Sequence, residues 1–380
     1  MQKSIHWWQF PLYLMSIKLN SDFKEKFFEK TKKDFKSVKK LALFLQRKSK
    51  LYNKNITTDY RIVWQYHKKT KYIPAWAIYE ISKKIKVTLL EVERNIQGYV
   101  STYGRLYIFR PQLPIKITPE FTSIAIHMMC DGCINRNNFI YYQKEESGLK
   151  RFEKITSNVF GKYRIKKYKR AHYFPAIFSV IVTNYFNIPT YLSAKCRIPP
   201  KVLKGDKENK IATLLAFLHD DGNVSGSVRF LSSNKKFIMD LRNIVESLGY
   251  KCSISTFKWR GKMTREHYSL LLSYESVEKF FQGCNELIFK YPNLGIGRKL
   301  NEIGNIIKFK HRSWKQRKKF ETKRIILNAL KAESKTAFEL REIANINLWT
   351  VYHHLQMLMK QNKVKKYKKG SRFKYQLIPQ

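Results

Sequence analysis

Leu214-Leu215-Ala216-Phe217-Leu218-His219-Asp220-Asp221-Gly222 carries apolar residues at helix-compatible spacing into an acidic residue and a glycine. Ile124-Ala125-Ile126-His127-Met128-Met129-Cys130-Asp131-Gly132 does the same, with its Asp-Gly step 90 residues earlier. Similar sequence follows each. After Gly132, Cys133-Ile134 and Phe139-Ile140-Tyr141-Tyr142 read as strands around the turn 135–138, and a helix from Leu149 to Phe160 ends at Gly161. After Gly222, Val224 and Val228-Arg229-Phe230 flank Ser225-Gly226-Ser227, and a helix from Lys235 to Leu248 ends at Gly249. Strands are then expected over Tyr163 to Tyr168 and over Lys251 to Trp259. Phe178-Ser179-Val180-Ile181-Val182 parallels Tyr268-Ser269-Leu270-Leu271-Leu272, and a helix follows each. Helix, hairpin, helix, hairpin, helix, run twice, is the expected repeat.

Each motif helix is apolar enough to be buried all round, and Ala125 and Ala216 are small enough to let a second helix approach. Close packing would bring the two C-termini together. Gly132 and Gly222 fit the left-handed residue that ends a helix. Asp131 and Asp221 would then lie side by side where the helix dipole is already negative, and like charges at close range aggravate the conflict. A divalent cation, Mg²⁺ or Mn²⁺, resolves it, held by the two carboxylates and the helix-end carbonyls at Gly132 and Gly222. Bound there, it could activate water and stabilise the leaving oxygen of a phosphodiester. A single Asp-Gly would read as a turn; two in register within a repeat favour chemistry. Cys130 and Asp220 precede the acids and receive no primary role, although Asp220 leaves the register of the second motif open. His127 and His219 read as core or surface histidines.

The charge names the substrate class. Seventy-five Lys+Arg face 28 Asp+Glu, a net charge of +47, so a phosphate backbone is the default partner and neither a membrane nor a small metabolite is. Hydrophobic residues at 43% and aromatics at 14% supply real cores, which a merely basic tail lacks. The 380 residues are enough for two to four domains. Five cysteines, odd in number and irregular in spacing, make no disulfide framework. Cys130-x-x-Cys133 has zinc-knuckle spacing without a second pair. Pro11 and Gln9 interrupt the apolar start and no cleavage site follows it, so neither signal peptide nor membrane span is expected. A cytoplasmic, nucleoid-associated protein is expected.

The flanks add binding modules. Residues 1–110 are expected to form a basic helical domain, with helices over Val38 to Leu45, Tyr60 to Lys68 (capped by Thr58), from Pro74, and from Thr88 through Ile96. A helix-turn-helix fits this pattern, and a plain bundle fits nearly as well. Pro111, Pro114 and Pro119 open a linker into a middle domain, 111–312. In 318–380, helices over Thr322 to Leu330, Phe338 to Ile343 and from Asn347 precede a basic hairpin, Val364 to Tyr367 and Phe373 to Leu377, around Lys369-Gly370-Ser371. Three helices and a basic hairpin are the winged-helix signature, and a dimerisation module is the alternative. Its third helix would offer Trp349, Thr350, His353 and His354 to a major groove, with Lys369 and Arg372 on the wing. From His311 onward there are 18 Lys+Arg and 4 Asp+Glu.

Leu215 to Gly222, with the looser copy Ile124 to Gly132, resembles the LAGLIDADG homing endonuclease family in its single-chain, two-motif form. Cys196-Arg197-Ile198-Pro199 with Lys201-Val202 resembles the inter-repeat segment of archaeal and intein-type members, and Lys299-Leu300 resembles a basic position after the second repeat. The resemblance covers about Pro119 to Lys310. It implies an α+β fold of two pseudo-symmetric αββαββα repeats whose sheets form a saddle over duplex DNA, in a monomer. It implies that Asp131 and Asp221 are the catalytic acids and bind the metal, with Lys195 and Lys299 as basic residues near them. On the sheet strands and adjoining turns, Arg136, Arg164, Lys166, Tyr168, Arg229, Lys258 and Arg260 are the residues expected to read DNA, a solvated charged face being the alternative for each. The expected activity is site-specific, metal-dependent cleavage of double-stranded DNA. A non-cleaving DNA-binding regulator on the same fold, or an RNA-binding splicing cofactor, are the alternatives.

Overall fold

The computed structural model describes residues 3–53, 56, 58–68, 71–102, 104–134, 139–258, 266–310, 321–346, 348–369 and 372–378. Two compact units emerge, Met1–Leu300 and Asn301–Gln380.

The first unit opens with β1 (Ser4–Ile5), β2 (Met15–Leu19), α1 (Ser21–Phe35), α2 (Val38–Ser49), α3 (Tyr60–Tyr66), β3 (Ile73–Pro74), α4 (Ala75–Lys84), α5 (Leu89–Arg94), β4 (Ile96–Ser101), β5 (Tyr107–Pro111) and β6 (Ile115–Lys116). The expectation of helices alone is corrected here: a five-stranded antiparallel sheet runs beside them, ordered β3-β2-β4-β5-β9, where β9 is Gly161–Tyr163. Met15, Ile17 and Leu19 alternate with Ser16 and Lys18 at period two, so β2 buries one face. Helical periodicity in the neighbouring segments masked that signal. Asp59, not Thr58, caps α3 by accepting from Ile62 N, while Thr88 caps α5 by accepting from Glu91 N.

The middle of the chain continues with α6 (Pro119–Cys130), β7 (Gly132–Ile134), β8 (Phe139–Tyr142), α7 (Glu146–Phe160), β9, β10 (Lys166–Tyr168), β11 (Ala171–Phe174), α8 (Ile177–Phe186), α9 (Pro200–Leu203), α10 (Lys207–Asp220), β12 (Gly222–Val224), β13 (Val228–Ser232), α11 (Lys235–Ser247), β14 (Cys252–Lys258), β15 (Glu266–Leu272), α12 (Tyr274–Lys290) and α13 (Arg298–Lys310). Two four-stranded antiparallel sheets form, ordered β10-β11-β8-β7 and β12-β13-β15-β14. Read from opposite ends these have one connectivity, because β7, β8, β10 and β11 occupy the places of β12, β13, β14 and β15. Phe178 to Val182, expected as a strand, is instead the buried centre of α8. An apolar run covered on every side carries no period to separate helix from strand. The counterpart of β15 is β11, since the first hairpin is shorter than the second and the 90-residue offset does not persist.

α6 and α10 pack against each other. Thr118 caps α6 by accepting from Phe121 N, with Pro119 at its first turn; Asp206 caps α10 by accepting from Asn209 N. Every residue from Pro119 to Met129 and from Ile211 to Leu218 is buried. Thr122 Oγ1 donates to Asn209 Oδ1 across the pair at 2.5 Å. Gly132 and Gly222 are not left-handed, because positive φ among the glycines falls at Gly161, Gly226, Gly249 and Gly297. They are required for clearance as each chain turns straight from helix into strand. A Cβ on Gly132 would stand 2.7 Å from Met128 Cα, and one on Gly222 would stand 2.5 Å from Leu218 Cα.

The second unit holds α14 (Glu321–Ala332), α15 (Ala337–Ala344), α16 (Leu348–Lys360) and the antiparallel pair β16 (Val364–Lys369) and β17 (Arg372–Leu377). Its core joins Ile326, Leu330, Leu340, Val351, Leu355 and Leu358 to Val364 and Tyr375 of the hairpin. Thr336 and Glu339 close a capping box on α15. Asn347, the expected cap of α16, lies outside the described residues.

Substituting Gly222→Ala should lower the unfolding midpoint of the full chain by an amount equivalent to about 1–3 kcal/mol, the range for overpacking a close contact. Differential scanning calorimetry checks this, and an unchanged midpoint would contradict the clearance argument.

Candidate metal and nucleic-acid site

Asp131 is the C-cap of α6 and Asp221 the C-cap of α10, each in the bridge region of backbone space. Their backbone N–H groups close the helices onto His127 O and Phe217 O, so each side chain leaves its helix at the last turn. The ends meet: Asp131 feels the charges of both Asp220 and Asp221, and the Cys130 thiol of α6 feels those of all three acids.

Asp220, given no role in the sequence, is the centre of the network. Its Oδ1 accepts from Tyr141 Oη at 2.7 Å and from Gln143 Nε2 at 3.1 Å. Its Oδ2 lies 2.8 Å from His127 Nδ1. Gln143 Nε2 also donates to Asp131 Oδ2 at 2.7 Å, tying the acids of the two helices together. Tyr141 and Gln143 were missed as well. The signal was their period-two spacing, with Tyr141 near the end of β8 and Gln143 one residue past it.

Burial, reinforced by Asp220 and Asp221, pushes the Asp131 carboxyl up to about 8. Burial also pushes Asp220 up to about 8, against the opposing pull of Tyr141, Lys299, Gln143 and Arg151. Asp221 rises to about 6 through burial and Asp220, with Cys130 and Lys299 opposing. Burial and Arg151 drive His127 down to about 3; burial, His127, Arg151 and Lys299 drive His219 down as well. A neutral His127 accepting from a protonated Asp220 is the arrangement these directions describe. His127 is thus a buried partner of an acid, and His219 Nδ1 lies 3.2 Å from Arg151 Nη1.

Lys299 enters from α13. Its Nζ donates to Leu218 O at 2.7 Å, His219 O at 2.8 Å and Gly222 O at 2.8 Å. An ammonium therefore sits on the negative end of α10, and the Gly222 carbonyl, expected as a metal ligand, already has a donor. Lys195 is exposed in the turn before Cys196, and its side chain has no hydrogen bond to these aspartates among the described residues. The Cys196-Arg197-Ile198-Pro199 segment is fastened elsewhere: Arg197 Nε and Nη2 each lie 2.6 Å from Asp240, which also accepts from Ile198 N.

A cleft of about 480 Å³ opens beside the acids, lined by Asp131 and Asp220 together with Lys144, Arg151, Arg170 and Lys299. Among the described residues no group of three or more His, Cys, Asp and Glu is arranged to hold a metal. Two carboxylates are nevertheless a donor set that suits Mg²⁺, which keeps its waters and takes substrate phosphate oxygens for the remaining positions. Three acids raised by burial, Asp131 and Asp221 also by neighbouring carboxylates, fit a cation as well.

The expected DNA-reading residues are dispersed. Lys166 and Tyr168 are exposed on β10 and Arg229 on β13, its Nε donating to Ser227 Oγ at 2.8 Å. Arg164 is exposed between β9 and β10, 5.8 Å from the Tyr107 ring on the N-terminal sheet rather than aligned with the others. His353 is exposed on α16 and stacked on Trp349, with centroids 5.7 Å apart; Thr350 and His354 beside them are half-buried. Burial lowers His354. Residues Arg136 and Arg260, and the side chains of Lys258, Lys369 and Arg372, lie outside the described residues. No helix of the described residues is long and apolar enough to cross a membrane.

No family model matches the chain. A replicative DNA helicase, DnaB of Mycobacterium intracellulare, is 30% identical over 86 residues, which are 22% of this chain and 15% of the helicase. The chain thus spans a small part of that relative's length. Similar solved structures include mesophilic variants of the homing endonuclease I-DmoI, at 14% identity and a TM-score of 0.33 over 44% of this chain and 94% of theirs. I-DmoI in complex with DNA and Ca is similar at 14% identity and a TM-score of 0.33, over 43% of this chain and 87% of that one. Full-length DUF199/WhiA from Thermatoga maritima is similar at 10% identity and a TM-score of 0.33, over 64% of this chain and 90% of that one.

Between about pH 4 and pH 8 the unfolded chain ionises Asp220 while the folded chain keeps its proton, so the acid withdraws stability as pH rises through that window. Asp220→Asn preserves the acceptor for Tyr141 and Gln143 and offers a donor to His127. In chelator, its stability relative to the parent should rise from about pH 4 to about pH 8, at up to ~1.4 kcal/mol per pH unit, and level off above. Thermal unfolding against pH checks this; a difference that does not change with pH contradicts it.

Proposed function

We propose that the chain is a site-specific endonuclease acting on double-stranded DNA as a monomer, with Asp131 and Asp221 holding Mg²⁺ or Mn²⁺. The observation that carries this reading is the meeting of two helix C-caps, both carboxylates raised by burial and repulsion, beside a cleft lined with cations. Asp131 and Asp221 would hold the ion. When bound, it would supply Lewis-acid stabilisation of the phosphodiester oxygens and a more acidic water.

The chain's own residues would do the rest. Lys144, Arg151 and Arg170 would bind the backbone phosphate entering the cleft. Gln143 would fix the orientation of Asp131, and Lys299 would hold the end of α10 in place. In this proposal the two recurring αββαββα units form a saddle on the duplex. Lys166, Tyr168 and Arg229, with Arg136, Lys258 and Arg260, would read it. The second unit would act as a winged helix, with His353 and Trp349 leading into a groove and Lys369 and Arg372 on the wing. The division into 1–110, 111–312 and 318–380 belongs to the same proposal. Lys195 is left without a part in catalysis.

One observation favours a non-cleaving DNA-binding regulator instead. Gln143 already satisfies Asp131 and Lys299 already satisfies the α10 carbonyls, so the network closes without an ion. Selection of cut sites from a randomised duplex library, in Mg²⁺ and then Mn²⁺, separates the readings. The enzyme gives breaks at a defined sequence that fall roughly 100-fold or more in Asp131→Asn and in Asp221→Asn, with duplex binding kept. Tight, salt-sensitive binding with no breaks in either ion supports the regulator.

A further inference from the structure

The N-terminal sheet has a second face that the cutting mechanism leaves unused. Registers across it align Lys18 of β2 with Gly98 of β4, Gly98 with Phe109 of β5, and Phe109 with Lys162 of β9. Directly opposed residues share a face, and Tyr107, two positions from Phe109, joins them. Ile17, Tyr99 and Ile108 take the other face and are fully buried. Two rings and a row of cations therefore stand on an open surface.

Tyr72 closes one side. Its ring centroid lies 6.1 Å from that of Tyr107, which lies 6.2 Å from that of Phe109. Gly98 is the clearance this needs: a Cβ there would come to 2.6 Å from Ile108 O and 3.2 Å from Tyr72 Oη. The result is a cleft of about 610 Å³, within the range of small-ligand sites. Arg164 borders it over Tyr107, and Lys18 and Arg110 complete the rim. Arg110 sits in a β-bulge with φ 53°, a conformation that re-aims its side chain from the strand. No acidic residue lines the cleft among the described residues.

Aromatic faces at period two on a sheet, rimmed by cations and without acids, match the chemistry of a nucleobase and its phosphate. A paired base offers only its edges, whereas stacking on rings such as Tyr107 and Phe109 needs the face of an unpaired one. We propose that it holds one unpaired nucleotide of a DNA strand, the base against Tyr107 and Phe109 and the phosphate on Arg164, Arg110 and Lys18. This holds whether or not the chain cuts DNA.

The test uses the full chain and a short oligothymidylate carrying a single iododeoxyuridine. Irradiation should cross-link the unmodified protein within the peptides that contain Tyr72, Tyr107 or Phe109. By fluorescence anisotropy, Tyr107→Leu with Phe109→Leu should weaken the oligonucleotide about tenfold and leave a duplex of equal length unaffected. Because that variant alters half-buried positions, Arg164→Gln with Lys18→Gln, both at the rim, should give a similar selective loss and a shallower salt dependence. Cross-links mapping wholly elsewhere, or equal losses for strand and duplex, would overturn the proposal. Tighter binding of free thymidine monophosphate than of the oligonucleotide would also overturn it, by assigning the cleft to a free nucleotide.

Discussion

Three carboxylates are driven together at one place because α6 and α10 bury one another along their length. Each helix is covered on all sides along its apolar stretch, so neither can shift without exposing apolar surface, and each capping acid is held at its helix end, Asp131 half-buried and Asp221 exposed. Burial and proximity both penalise the charged form. The surroundings answer with neutral donors from Tyr141 and Gln143 and an ammonium from Lys299 on the α10 carbonyls. Sheets, hairpins and the cleft take their positions from this helix pair.

The two halves share a connectivity but not a site. Gly132 pairs with Tyr141 across the first hairpin, and Gly222 pairs with Phe230 across the second. Phe230 therefore stands where the first half has Tyr141, and Ser232 where it has Gln143. Counting back from each Asp-Gly, His127 matches Phe217 and Cys130 matches Asp220. The hydrogen-bonding side chains thus come from the first strand pair and the extra acid from the second helix. Asp131 and Asp221 differ accordingly: Asp131 is half-buried and held by the Gln143 amide, whereas Asp221 is exposed. Two sheets of like connectivity thus accompany one asymmetric cluster.

Much of this was legible in the sequence, for identifiable reasons. The paired Asp-Gly ends, the helices Glu146–Phe160, Lys235–Ser247 and Tyr274–Lys290, and the three helices with a hairpin at the C-terminus carry strong local signals: apolar period, caps and turn residues. Lys299 was marked by its place after the second repeat. What escaped depends on tertiary context. The strand Met15–Leu19 finds its partner, Ile96–Ser101, far along the chain. α8 has no period to read because every side of it is covered. Asp220 was set aside because two adjacent acids cannot be assigned without knowing which faces the partner helix. Gly132 and Gly222 were read as left-handed helix ends, whereas it is clearance from Met128 and Leu218 that excludes a Cβ at each.

The central claim is that Asp131 and Asp221 share a cation. Anomalous diffraction at the manganese edge, from crystals of the full chain grown with Mn²⁺ above the pH at which the acids ionise, addresses it directly. The account predicts a peak within coordinating distance of one oxygen from each carboxylate, lost in Asp131→Asn. A map with no peak between them, with Gln143 still hydrogen-bonded to Asp131 and both acids otherwise unmoved, would contradict it.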